Sequence, residues 1–160
     1  MTRILFVCTG NICRSPMAEA LMRHKLDLLQ VGADYEIDSA GTGSWHVGEN
    51  ADPRTLAILS QLGIRHPSRA RQVRVSDFDD FDHIFAMDES HQRDLLRFAG
   101  DQAHKVSLFL SHDPNAKLRE VPDPYYGSAL DYRDMYAIVD QGIDALIARF
   151  VESANTSGPL

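Results

Sequence analysis

The sequence predicts an α/β fold: a single domain in which four parallel strands form one sheet with helices on both faces. Three observations carry that expectation. The 160 residues have one domain's length, with 44% hydrophobic and 24% charged residues, enough apolar material for a core. Short apolar runs alternate along the chain with longer stretches of helical periodicity. The first run, "RILFVC" (3–8), has no polar alternation beyond its opening arginine, as befits a strand covered on both faces.

After the first strand, "SPMAEALMRHKLDLL" reads as a helix. Met17, Ala20, Leu21, His24 and Leu28 share one face. Ser15 is expected to cap it, Pro16 suits its first position and Glu19 is a first-turn acid. "YEIDSAGT" (35–42) alternates and then reaches a glycine, giving the second strand. "DPRTLAILSQLGI" (52–64) has both end signals of a helix, Asp-Pro at the start and Gly63 at the stop. "HIFAM" (83–87) is the third strand, and "DESHQRDLLRF" (88–98) is a helix capped by Asp88 or Ser90. "KVSLFL" (105–110) is the fourth strand. Residues 111–130 hold three prolines and a glycine and read as a long loop, a feature that often carries function. The last helix covers roughly 131–151, where Tyr132, Met135, Tyr136, Val139, Ile143, Leu146, Ile147 and Phe150 form a stripe. The domain is expected to occupy 1–152, with 153–160 a flexible tail.

A net charge of −7 argues against broad contact with nucleic acid, which needs a basic face. The four arginines of "RHPSRARQVR" (65–74) lack interleaved aromatics and read as a solvated, partly packed segment. No run of 18 apolar residues is present, so no membrane span is expected, and "MTRILFVCTG" lacks the pattern of a signal peptide. A cytoplasmic location is expected, with Cys8 and Cys13 as free thiols. Two thiols do not complete a structural zinc site, and no histidine pair stands nearby at ligand spacing.

The chemistry concentrates in "CTGNICRS" at the carboxyl end of the first strand. Gly10 and Asn11 tolerate left-handed backbone angles, so the chain can curl with its N–H groups pointing inward. Such a curl, feeding a helix N-terminus, makes an anion site. Arg14 closes the curl with a planar fork that matches two phosphate oxygens. The same amides stabilise a thiolate, the nucleophilic form of cysteine, and Ser15 is placed to hydrogen-bond the Cys8 sulfur when it leaves. The loop lacks the Gly-Lys-Ser/Thr of nucleotide-binding loops and the three spaced glycines of dinucleotide folds. Expelling an alkoxide or phenolate from phosphorus calls for a general acid, and Asp123, stiffened between Pro122 and Pro124, is the candidate.

"VCTGNICRSPMAEA" resembles the signature of low-molecular-weight protein tyrosine phosphatases, and the resemblance extends to "DSAGT" (38–42), "RARQ" (69–72), "FDHIFAMDES" (81–90) and "VPDPYYG" (121–127). The family's fold, a four-stranded parallel sheet flanked by helices with a phosphate-binding loop after the first strand, agrees with the pattern above. The resemblance implies that Cys8 attacks phosphorus and Arg14 holds the phosphoryl oxygens. Asp123 would be the acid in the first step and the base in the second. Thr9, Gly10, Asn11, Ile12, Cys13 and Ser15 would line the substrate, with Tyr125 and Tyr126 as one aromatic wall and Trp45 opposite. Ser39 would brace Asn11. The family often has a histidine just before its "ARQ" segment; here Ser68 stands at that place, with His66 two residues earlier. Cys13 is either a bystander thiol or a partner that captures an oxidised Cys8 as a reversible disulfide.

The expected partners are phosphotyrosine-containing proteins, with inorganic phosphate as product and neither metal nor cofactor required, since the loop and Arg14 supply the charge. Arsenate reduction, which this fold also supports, needs further cysteines to relay a disulfide, and none follows residue 13. Phosphoarginine phosphatases of the family tend to carry threonine where this chain has Ile12. A phosphate-binding module without turnover would have no use for both Cys8 and Asp123.

Overall fold

The computed structural model describes residues 1–152; the tail expected at 153–160 lies outside the described residues. Strands β1 (Thr2–Cys8), β2 (Tyr35–Gly41), β3 (His83–Ala86) and β4 (Val106–Leu108) form one parallel sheet in the order β2-β1-β3-β4. Cys8 pairs with Gly41 on one side of β1, and Val7 with Ala86 on the other. The chain leaves β1 toward β2 and then crosses back to β3 and β4. The loops after β1 and β3 therefore diverge and open a crevice at their carboxyl ends, where parallel sheets bind ligands.

Among the described residues, five α-helices pack around the sheet or on one another: α1 (Arg14–Leu28), α2 (Pro53–Gln61), α3 (Asp77–Asp80), α4 (Glu89–Ala99) and α5 (Ala129–Ile147). Alternation along β1 builds two cores. Ile4, Phe6 and Cys8 face the layer of α1 and α5, and Leu5 and Val7 face that of α3 and α4. Phe6 is fully buried and meets Phe109 edge-on at 5.7 Å between ring centroids. Among the described residues, no helix is long and apolar enough to cross a membrane.

The boundaries differ from the sequence expectation in places that matter. The first helix begins at Arg14, with Cys13 at its N-cap, so Ser15 sits inside the first turn and turns its hydroxyl back across the loop. Glu19 is fully buried and is no first-turn acid. Leu28 is exposed while Met22 and Leu26 are buried, because α1 is covered by the sheet on one side and by α2 and α5 on others. Asp52 caps α2, accepting from the Arg54 N–H, and Asp88 rather than Ser90 caps α4. The fourth strand stops at Leu108, where the chain tightens into a 3₁₀ turn at Phe109–His112. Helix α5 starts early because Ser128 and Asp131 form a capping box, and Phe150 falls in the π-helical turn Ala148–Glu152. Residues 113–128 hold no helix or strand, as the prolines indicated.

Candidate active site

The loop between β1 and α1 curls at the mouth of the crevice, and Asn11 is its pivot. Its φ of 58° is left-handed, a strained state for a residue other than glycine. Every polar atom of its side chain is engaged: Nδ2 donates to Ser15 Oγ and Ser39 Oγ, both at 2.9 Å, and Oδ1 accepts from the Arg71 N–H at 3.0 Å. These bonds, all made by a side chain 3% exposed, hold the strained turn closed. Gly10, expected to share the left-handed state, does not; its missing Cβ instead leaves room for the His46 ring, 2.8 Å from where that atom would sit. A glycine is required at Gly41, where a Cβ would lie 2.6 Å from the Thr9 carbonyl oxygen.

Cys8 lies on the floor of the curl. Its Sγ is 2.9 Å from Ser15 Oγ, which accepts from Asn11 and has its own proton to give to the sulfur or, at 3.5 Å, to the Ala40 carbonyl. Behind Ser39 stands Glu19, whose Oε1 accepts from Ser39 Oγ at 2.6 Å. Burial raises the Glu19 pKa above the usual carboxylate range, against the pull of Ser39 and Arg23. Ser68 reaches Glu19 Oε2 at 3.3 Å and His66 Nδ1 comes within 3.7 Å of it, so both residues near the "ARQ" segment serve this buried carboxyl. Burial pushes the His66 imidazole down to about 4.

Arg14, 3% exposed, is aimed by fixed partners: Nη1 donates to Asp88 Oδ2 and to the Val121 carbonyl, each at 2.9 Å. Its Nη2 faces Thr9 Oγ1 at 3.4 Å and Asp123 Oδ2 at 3.6 Å. Asp123 is half exposed, and its Oδ1 accepts from the Tyr125 N–H at 3.1 Å. Cys8, Thr9, Gly10, Ile12, Cys13, Arg14, Trp45, Asp123, Tyr125 and Tyr126 thus line one cleft of about 400 Å³. Ser15, Asn11 and Ser39 lie beneath it as supports. Trp45 and Tyr126 are largely exposed, and Tyr125 packs edge-on against Tyr126 at 4.9 Å. Cys13 sits with its thiol 3.1 Å from the Tyr132 hydroxyl; burial pushes that thiol up to about 12, and both cysteines are free. The arginine segment is solvated and partly packed, as expected: Arg65, Arg69 and Arg74 are exposed, while Arg71 pairs with Asp38 and Asp77 at 3.1 and 2.9 Å.

Several functional neighbours escaped sequence reading. His46 lines the cleft and pairs with Glu49. Arg54 clamps the acid-bearing loop by donating to the Tyr125 carbonyl at 3.1 Å, while stacking on Tyr132 at 4.3 Å. His91, 1% exposed, places Nε2 at 2.7 Å from Thr9 Oγ1. None carries a local signal, because each acts on loops remote in sequence.

A fixed arginine fork, a sulfur on the floor of the same cleft and a carboxyl 3.6 Å from the fork can hold a tetrahedral oxyanion and transfer its central atom. The profile of a family described as "Low molecular weight phosphotyrosine protein phosphatase" matches residues 3–156. The chain is 47% identical over 137 residues to a Schizosaccharomyces pombe protein named "Low molecular weight phosphotyrosine protein phosphatase", across 84% of this chain and 87% of that one. A protein tyrosine phosphatase from Entamoeba histolytica, solved with Hepes in the active site, superposes with a TM-score of 0.90 at 37% identity, covering 96% of this chain and 99% of that one. A Drosophila arginine phosphatase superposes with a TM-score of 0.88 at 31% identity, covering 94% and 98%.

Proposed function

The chain belongs to the low molecular weight phosphotyrosine protein phosphatase family, and from that membership we propose that it hydrolyses phosphotyrosine in proteins, and small aryl phosphates, by way of a phosphocysteine. Cys8 Sγ attacks phosphorus, and the bond from phosphorus to the phenolic oxygen breaks as Asp123 gives that oxygen its proton. Arg14 and the loop amides hold the three equatorial oxygens, whose charge grows toward the transition state. Water then attacks the phosphocysteine while Asp123 takes its proton, and the sulfur leaves against the Ser15 hydroxyl, 2.9 Å away. Inorganic phosphate departs. Residues 1–152 act as one catalytic domain, in a cytoplasmic setting that keeps Cys8 and Cys13 reduced.

The observation that carries this reading is the convergence of Cys8, Arg14 and Asp123 on one cleft, with Arg14 Nη2 and Asp123 Oδ2 3.6 Å apart. The similarity to an arginine phosphatase favours a second substrate, phosphoarginine. Ile12 in the cleft wall and the aromatic rim of Trp45, Tyr125 and Tyr126 weigh toward a flat phenyl ring. Turnover on matched phosphotyrosine, phosphoserine and phosphoarginine peptides tests the choice. Preference for phosphotyrosine, with no turnover by Cys8→Ser, is expected. Preference for phosphoarginine would move the chain to the second reading, and an active Cys8→Ser would remove the mechanism.

A further inference from the structure

We propose that the Thr9 hydroxyl donates its proton to the phosphoryl group held in the loop, and that His91 is the positioning residue that turns it there. The proposal rests on reading the loop as a phosphate site. Its basis is the hydrogen-bond inventory of one oxygen. His91 stands in the first turn of α4, where its Nδ1 accepts the Asp88 N–H at 3.2 Å as the second half of a capping box. With that lone pair engaged, a neutral ring carries its proton on Nε2, which donates to Thr9 Oγ1 at 2.7 Å. Arg14 Nη2 donates to the same oxygen at 3.4 Å. A hydroxyl oxygen has two lone pairs, and both are then taken. The remaining Thr9 proton has to leave in another direction, and Thr9 lines the cleft beside Cys8.

The ring must be neutral for Nδ1 to accept the Asp88 N–H; an imidazolium would lose that bond and set a second cation against Arg14 Nη2, 3.5 Å from Nε2. Burial and the Arg14 guanidinium push His91 down to about 4, overriding the carboxylates of Asp88, Asp94 and Asp123 that draw it upward. Arg14, Thr9, His91 and Asp88 thus form a closed ring of contacts that ties the first loop residue after the nucleophile to the cap of α4.

The opposite tautomer would give Nδ1–H to Asp88 Oδ1, 3.2 Å away, and its Nε2 would accept from the Thr9 hydroxyl and from Arg14 Nη2 at 3.5 Å, leaving no Thr9 proton for the anion. Nitrogen-15 NMR of the histidines separates the two: a protonated Nε2 in His91 is expected, and a protonated Nδ1 overturns the proposal. Calorimetry with inorganic phosphate gives the functional test. Thr9→Val and His91→Asn are each expected to weaken phosphate binding about tenfold, the scale of one hydrogen bond to a charged group. Thr9→Ser should bind phosphate like the parent protein. So should His91→Gln, whose amide nitrogen reaches the place of Nε2, whereas the shorter asparagine reaches only that of Nδ1. The Thr9→Val, His91→Asn double variant should bind no more weakly than Thr9→Val, since His91 acts through Thr9. Parent-like binding by Thr9→Val, or fully additive losses, would overturn the proposal. Thr9→Val leaves the α4 cap untouched and decides the matter if His91→Asn fails to fold. A parent protein that bound no phosphate would instead overturn the reading of the loop.

Discussion

At the scale of single residues, Asp123 makes the sharpest claim. Asp123→Ala should slow phenyl phosphate by about 10²–10⁴-fold, the usual contribution of a general acid. It should slow p-nitrophenyl phosphate far less, because that leaving group departs without a proton; steady-state rates on both substrates check this, and equal slowing would remove Asp123 from the acid role. Asn11→Ala should lower stability and turnover together, since its side chain holds the 58° turn through Ser15, Ser39 and the Arg71 N–H. The residues that do the chemistry were legible in the sequence because they lie within one turn of chain, Cys8 to Ser15, or between two prolines. Asp88, His91 and Arg54 were not legible in their site roles. Asp88 and His91 reach the site from the start of α4 and Arg54 from the start of α2, and a residue's partner 74 or 77 positions away leaves no periodic trace.

At the scale of elements, the start of α4 has a double task. Asp88 caps the helix by accepting the His91 N–H at 3.1 Å through one carboxylate oxygen and holds Arg14 at 2.9 Å through the other. Asp88→Asn keeps an acceptor for the cap but loses the charge. It should unfold within a few degrees of the parent, yet show a raised KM for aryl phosphate. Asp88→Ala loses both and should also lose about 0.5–2 kcal/mol of stability, measurable by denaturant unfolding. A parent-like KM in Asp88→Asn would show that Arg14 needs no charged partner. The helix itself was readable from the sequence, and so was its pair of alternative caps. Helix α1 shows the limit: it starts two residues before the place Ser15 indicates, because Ser15 has the chemistry of a cap yet spends its hydroxyl on Cys8 and Asn11.

At the scale of the whole molecule, the four strands and the core follow from the pattern of apolar runs, whereas the strand order is set by tertiary packing and leaves no mark in that pattern. The crevice follows from the order β2-β1-β3-β4, which places Cys8 and Asp88 on its two sides. Phe6→Ala, at the centre of the larger core, should cost about 3–5 kcal/mol in denaturant unfolding without changing KM. Acid should destabilise the fold. His66, His91 and His112 are pushed down to about 4 by burial, so the unfolded chain takes up protons that the folded one refuses. Their stabilisation is present above pH 6.5 and is lost as the pH falls to about 4, with His91 alone giving about 3 kcal/mol. His91→Gln should flatten that decline in unfolding curves measured across the window. The account as a whole rests on where the phosphoryl group goes, and rapid acid quench during turnover of an aryl phosphate, followed by peptide mapping, locates it. A phosphoryl group on the sulfur of the peptide carrying Cys8, formed in step with a burst of phenol, is the expected result; phosphate released with no phosphoenzyme, or a phosphoryl group on any other side chain, would contradict it.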